Sequence, residues 1–510
     1  ALYAAGRRWF SPTAGWLAAL IYLSTPWTFR ISTIAYVEGG LSFFLFTALL
    51  ATMLAIEQLS REQRAGGRVL LAGLLAGSAM ACKYPGVLSV VIPLGAALVA
   101  APFLLGIPRA ASIKITRRWA ACFASGVLLT IGPWLAKNAF ETGNPVYPLL
   151  YSVFDGKDWN AELDAKWKKA HSPDDYDLGK IPAWICDVSA QNDWLSPLLY
   201  AFAPLLLVVA WRRRMPRLLW FYVGYLFLTW WAFTHRLDRF WVPMIPVVAL
   251  LAGAGATSLK GTVWKIFSAV CIAAALLFNL GIVVTGMAGY NQFLVDLDYA
   301  RDWTANLTAP EIAYLNREFR AGELPKDARV LCVGEAEVFD AEFPIVYNTV
   351  FDYPIFEQWT ADDRQPVASG ERAMRDPAEI RQKFRDERIG LVLVNWQEIV
   401  RYRTTYGYTD FVAPPRFDRL EEARVLTPPL TFASLVLADL TDEELETKRK
   451  AWKPGLYRLQ DGRTVYIGSV RKPLDQREAD EITRWAPSLF GRIEQGRVLI
   501  TSQIYRVPGD

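Results

Sequence analysis

Apolar residues gather in nine stretches over the first part of the chain, at approximately 12–29, 38–56, 69–82, 86–105, 119–136, 195–211, 217–234, 240–257 and 263–286. Several approach the ~20 residues that a helix needs to cross a membrane, and 69–82 is short for one. Most of the polar breaks between them are brief. The long one, 138–194, is too polar to span and is expected to lie along an interface, with Trp159, Trp167, Trp184 and Trp194 at headgroup depth. From about residue 300 the pattern is that of an α/β domain. Val330 to Val333 predicts a buried strand ending in Gly334, Pro377 to Glu387 a helix, and Gly390 to Val394 a second buried strand. Tyr457 to Ile467, around Asp461-Gly462, predicts a hairpin. The expected architecture is therefore a membrane helical bundle over 1–290, with the interfacial segment 138–194, followed by an α/β domain over 291–510.

Composition sharpens this division. Hydrophobic residues make up 53% of the 510, and 20 are Trp. Residues 1–299 carry 25 basic and 16 acidic side chains, whereas 300–510 carry 30 and 35, so the charge lies mainly outside the apolar stretches. A net charge of +4 is too small to indicate a nucleic-acid partner. Cys82, Cys122 and Cys271 lie in apolar runs, and the spacing of Cys186 and Cys332 matches no disulfide framework or metal motif. Gly334 alone makes no dinucleotide fingerprint, so no nucleotide site is expected. The chain opens at Ala1 without Met, which gives the expectation that it is the remainder of a longer protein.

Basic residues fix an orientation. With Arg7 and Arg8 cytoplasmic, alternation of nine spans places 15 basic residues in the inner turns. Four, Arg30, Lys83, Arg236 and Arg239, then fall in the short outer turns. The outer face then holds Glu38, the turn Lys83-Tyr84-Pro85, segment 138–194, the turn His235 to Arg239 and everything beyond about 287.

Glu38 draws attention because it stands between two apolar runs, where an ionisable group marks a site unless it is solvated or paired. The alternative is a carboxylate in the first turn of a helix, favoured by the helix dipole. Asp155, Asp158, His171, Asp174, Asp175 and Asp177 offer ligands for a divalent cation, but their spacing matches no metal loop and a solvated face accounts for them; no metal site is expected.

The runs LAALIYLSTPWTFRISTIAYVEGGLSFF, GLLAGSAMACKYPGVLSVVIPL, GPWLAKNAFETGNPVYPLL and HRLDRFWVPMIPVVALLAG together resemble the C-type membrane glycosyltransferases, including the protein mannosyltransferases and the lipid A aminoarabinose transferase. The resemblance covers roughly 1–290. It implies a hexosyl- or pentosyltransferase of the plasma (inner) membrane, with its C-terminal domain periplasmic or extracellular. The implied partners are a polyprenyl-phosphate-linked sugar, membrane lipids and an acceptor of unstated kind, with no organic cofactor. Glu38 stands where that superfamily has its second acidic residue, usually Asp, and is the catalytic candidate. Lys83 stands where the superfamily has a lysine near the donor phosphate; snorkelling to the interface is its alternative. Arg236 and Arg239 are the further phosphate candidates, with pairing to Asp238 or to lipid headgroups as theirs. The superfamily's principal catalytic acid belongs to a first outer loop, expected upstream of residue 1.

Two other classes compete with a transferase. A lipid or polysaccharide transporter also uses intramembrane charge and broken helices, although no inverted repeat is evident here. A non-catalytic membrane subunit whose outer domain binds a partner is the other.

Overall fold

The computed structural model describes residues 1–34, 36–61, 63, 65–173, 175–192, 194–286, 310–323, 327–364, 372–432, 435–439, 456–458, 464–468, 498–499 and 502–509. They fall into two compact units, one of residues 1–164 and 171–288, the other of 165–170 and 289–510.

In the first unit each of the nine apolar stretches is helical, and proline decides where several are cut, because it lacks the N–H that an interior helical residue donates. The first stretch becomes Pro12–Ser24 and Pro26–Thr33, with Thr25 extended between them. Pro204 divides Pro197–Phe202 from Leu205–Val209. Asp238–Met244 is a 3₁₀ turn that leads into Ile245–Ala256.

Five helices among the described residues are long and apolar enough to cross a membrane: Glu38–Leu59, Val87–Leu104, Arg109–Thr142, Asp238–Ala256 and Thr262–Val284. Pro12–Ser24, Gly66–Cys82 and Pro197–Val209 are apolar but shorter. The helix Arg214–Phe233 opens on two arginines and carries Trp220, Trp230 and Trp231, side chains suited to an interface. Length and composition thus give five spans where nine were expected. The chain is an integral membrane protein, and small residues let its helices close on one another: a Cβ on Gly73 would stand 2.2 Å from the Phe123 carbonyl oxygen on the neighbouring helix.

The second unit contains a mixed sheet of five strands: β1 (Arg329–Val333), β2 (Ile345–Val346), β3 (Ile389–Asn395), β4 (Leu430–Phe432) and β9 (Ser502–Arg506). Their order is β2-β1-β3-β9-β4. β1 lies parallel to both β2 and β3, while β9 runs antiparallel to β3 and to β4. The expected helix is Pro377–Asp386, capped by the Asp376 side chain, and it returns the chain to β3. Both faces of the sheet are covered, which is why β1 and β3 read as unbroken apolar runs. Leu331, Val333, Val392 and Val394 face one core with Phe356, Phe384 and Phe417. Val330, Cys332, Leu391 and Leu393 face another with Ile312 and Leu315 of the helix Pro310–Ala321.

A second sheet has four strands, β5 (Leu435–Asp439), β6 (Leu456–Arg458), β7 (Thr464–Gly468) and β8 (Val498–Leu499), in the order β6-β7-β5-β8. β6 and β7 pair antiparallel as the hairpin predicts; its turn at Asp461-Gly462 lies outside the described residues. The five cysteines are free.

Candidate functional site

Glu38 is the first residue of Glu38–Leu59, so the positive end of the helix dipole lies beside it, and it is 3% exposed. Glycine follows it for a packing reason. A Cβ on Gly40 would come within 3.1 Å of the Cys82 sulfur, so the entry of this helix lies against the exit of Gly66–Cys82. The residue after Cys82 is Lys83, whose extended backbone (φ −163°, ψ 132°) ends that helix and turns the side chain out of it. Lys83 Nζ donates to Glu38 Oε1 at 2.9 Å. The turn is pinned from outside as well. Tyr84 accepts hydrogen bonds at its hydroxyl from Trp134 Nε1 (3.1 Å) and Asn138 Nδ2 (2.9 Å) of the long helix Arg109–Thr142.

The third member comes from the 3₁₀ turn Asp238–Met244. Lys83 Nζ sits 3.7 Å from the centroid of the Phe240 ring, and the Arg239 guanidinium lies 5.2 Å from the same ring and 5.4 Å from that of Tyr36. Both contacts are cation–π in kind and leave hydrogen-bonding capacity unused. Arg239 Nε is buried and has no acceptor among the described residues. Asp238 makes no side-chain ion pair with it among the described residues; one of its oxygens takes the Arg239 backbone N–H at 2.7 Å and the other takes Asn192 Nδ2 at 3.1 Å. In direct contact the corner therefore brings two cations and one carboxylate together, with Asp238 beside them.

Arg236 is committed elsewhere. Its backbone is in the left-handed region (φ 56°) and its side chain is buried. The guanidinium donates from Nε to the Trp231 carbonyl at 3.1 Å and from Nη2 to the Asp175 carbonyl, and Nη1 lies 3.5 Å from Asp175 Oδ1. The rings of Trp184 and Trp231 lie at 5.0 and 4.9 Å from it. These contacts turn Arg236, a phosphate candidate from the sequence, toward Asp175 and Trp231 and fasten the interfacial segment to the outer end of Arg214–Phe233. Tyr176 adds to the fastening by packing edge-on against Trp231. The only two histidines of the chain, His171 and His235, meet edge to face at 5.4 Å, and His235 meets Phe240 at 5.1 Å.

Among the described residues no three His, Cys, Asp or Glu side chains gather as a metal set. Asp174 lies outside those residues. Asp175 bonds Lys180 at 2.7 Å, and that contact, with the Asp177 backbone N–H, holds its carboxyl below the usual range. Tyr36 and Phe240 were not singled out from the sequence. Their signal was an aromatic residue within two positions of a charged one, Tyr36 before Glu38 and Phe240 after Arg239.

An apolar helical unit with helices long enough to cross a membrane defines a membrane protein, and Glu38, Lys83 and Arg239 gather at one corner of it. Residues 1–136 match the family model described as dolichyl-phosphate-mannose-protein mannosyltransferase, and over that segment the chain is similar to the membrane glycosyltransferases that its motifs resemble. Glu38 and Lys83 fall inside the matched segment; Arg236 and Arg239 fall outside it. No curated protein matches the chain. Among solved structures, ArnT from Cupriavidus metallidurans bound to undecaprenyl phosphate aligns at 13% identity over 79% of this chain and 77% of that one, with a TM-score of 0.44. The oligosaccharyltransferase AglB from Archaeoglobus fulgidus, in complex with an inhibitory peptide and a dolichol-phosphate, aligns at 12% identity over 93% of this chain and 62% of that one, with a TM-score of 0.42.

Proposed function

We propose that this protein is a membrane glycosyltransferase that moves a sugar from a polyprenyl-phosphate donor to an acceptor at the outer face of the membrane. The observation that carries the reading is the charge imbalance of the corner: Lys83 and Arg239 face a single carboxylate, and Arg239 Nε has no acceptor among the described residues. Lys83 and Arg239 take the donor's phosphate. An acceptor hydroxyl or amine attacks the anomeric carbon, the bond from that carbon to the phosphate oxygen breaks, and the lipid phosphate leaves with the electron pair. The two cations stabilise that leaving charge, and Glu38 accepts the proton of the attacking group. The ion pair of Glu38 with Lys83 fits this sequence, since a phosphate that draws Lys83 to itself frees the carboxylate to act as a base. The finer placement belongs to the same proposal: nine membrane passages in the plasma (inner) membrane, with the C-terminal α/β unit on the non-cytoplasmic side.

The test is a transfer assay on the purified protein in lipid, with a panel of polyprenyl-phosphate sugars and candidate acceptors. Transfer from one donor that falls ~100-fold or more in Glu38→Gln supports the reading. Movement of the lipid-linked sugar across the bilayer without transfer would replace it with a transporter.

A further inference from the structure

A second corner of the first unit carries a cation with no anion among the described residues. Thr25 and Pro26 break the first apolar stretch, and the helix Pro26–Thr33 starts again in a place fixed by buried polar contacts. The Trp27 backbone N–H donates to the Trp194 carbonyl at 2.9 Å. Two residues on, Ser196 caps the helix Pro197–Phe202 and accepts from Asn279 Nδ2 at 2.9 Å. Thr25 and Ser196 are wholly buried and Asn279 nearly so, so this corner holds its shape.

Arg30 projects from the last turn of Pro26–Thr33, the helix end that favours a cation. Its guanidinium lies 4.8 Å from the Trp27 ring and 4.6 Å from the Trp194 ring. The two rings are 6.2 Å apart and tilted by 51°, so they form the walls of a wedge with the guanidinium against both. Stacking uses the faces of the guanidinium plane and leaves its edge, where all the N–H donors point. No carboxylate or carbonyl takes those donors among the described residues. Trp27 is 3% exposed, and its indole N–H is likewise without an acceptor there. The helices on either side of Arg30 in the chain expose Leu20, Leu23, Val37 and Phe43, an apolar surface suited to acyl chains.

We propose that Arg30, held between Trp27 and Trp194, binds the phosphate of an anionic membrane-lipid headgroup, at a place separate from the Lys83–Arg239 corner. A planar fork steadied against two rings favours a bidentate oxyanion at its free edge, and a phosphodiester supplies one. The buried indole N–H of Trp27 is the further donor available to the same group. Apolar surface on the adjoining helices receives the chains of that lipid.

The experiment is native mass spectrometry of the full chain in a maltoside detergent, titrated with phosphatidylglycerol, with uncharged diacylglycerol and with inorganic phosphate in separate arms. Saturable retention of phosphatidylglycerol is expected, with no retention of diacylglycerol and no displacement by millimolar inorganic phosphate. Arg30→Gln should weaken retention at least tenfold, and Arg30→Lys, which keeps the charge but not the fork, severalfold. Trp27→Phe, which keeps a ring and removes the indole N–H, should also weaken it severalfold. Lys83→Met should leave it intact, which separates this site from the proposed donor corner. Equal retention by wild type and Arg30→Gln would reduce Arg30 to a stacking staple. If Arg30→Gln does not fold, wild-type retention by Arg30→Lys would overturn the proposal in its place. Displacement by inorganic phosphate would overturn the lipid assignment.

Discussion

Each unit of this protein buries a carboxylate, and the two are answered differently. Glu38 in the membrane unit is met by an ammonium, Lys83 Nζ at 2.9 Å. Glu335, just beyond β1 in the C-terminal unit, is met by neutral donors: Asn395 Nδ2 at 2.7 Å and the Glu337 backbone N–H at 2.6 Å. A carboxylate held by a mobile side-chain cation can exchange that cation for a ligand. One held by an amide and a backbone N–H is fixed in place, and those bonds offset only part of the cost of its charge. The same contrast separates two arginines only three positions apart. Arg236 donates to Asp175 and Trp231, whereas Arg239 rests on two rings and its Nε has no acceptor among the described residues. Residue type and position in the chain are shared within each pair; partners decide the role.

The largest effect expected from breaking this comparison is at Glu38. Glu38→Gln should reduce transfer by ~100-fold to 10,000-fold, the range for loss of a positioned base, with the donor still bound. Full turnover would remove Glu38 from the chemistry. Next comes Arg236→Gln, which strips a buried corner of three charged contacts. It should cost about 2–4 kcal/mol of stability and speed amide exchange over 175–188. Unchanged protection there would show that the interfacial segment is held by its tryptophans alone. Smaller again, Arg239→Gln should weaken donor binding about tenfold, roughly 1.4 kcal/mol, and leave the melting temperature within a degree or two. If instead Arg239→Gln unfolds the protein while Arg236→Gln only weakens the donor, the two roles must be exchanged.

What the sequence made legible follows the range of the interactions involved. β1, β3 and the helix between them were readable because a strand buried on both faces is apolar throughout, and because Asp376-Pro377 is a local helix start. The strand β9, SQIYR, was not readable. It lies on β3 across more than a hundred residues of sequence, and its Ser502 and Gln503 are buried only because Glu311 and Trp396 bond them. At the candidate site, alternation of spans put Glu38, Lys83, Arg236 and Arg239 at one face. Nothing local to Arg236 announces Asp175, 61 residues away, so charge and placement alone made it resemble Arg239. The wedge around Arg30 was hidden for the same reason, since Trp194 reaches it only in the fold. Two of the nine apolar stretches are cut short as helices by prolines at 26 and 204, an effect on helix length that a hydropathy count does not see.

The last test concerns Glu335, on the other side of the comparison. Burial, ahead of its bonds to Asn395 and Glu337, pushes the Glu335 carboxyl above the usual range, and the neighbouring charges of Glu337 and Glu398 push the same way. In the unfolded chain a glutamate titrates near about 4.3. Below that value both states hold the proton, and the contribution of Glu335 to stability is at its most favourable. As pH rises, the unfolded chain releases its proton first, so this contribution is lost progressively until the raised folded value is passed. Each unit of pH in that window changes stability by up to about 1.4 kcal/mol. Glu335→Gln removes the titration, although it also costs an acceptor, so the offset between variant and wild type is not the test and its slope is. The stability of Glu335→Gln relative to wild type, read from exchange of the β1 and β3 amides in the full chain, should rise from about pH 4 until the raised folded value is passed and then level off. A difference that stays flat, or falls with pH, would mean that Glu335 is charged at no cost, with a cation nearby as Glu38 has, and the contrast between the two units would disappear.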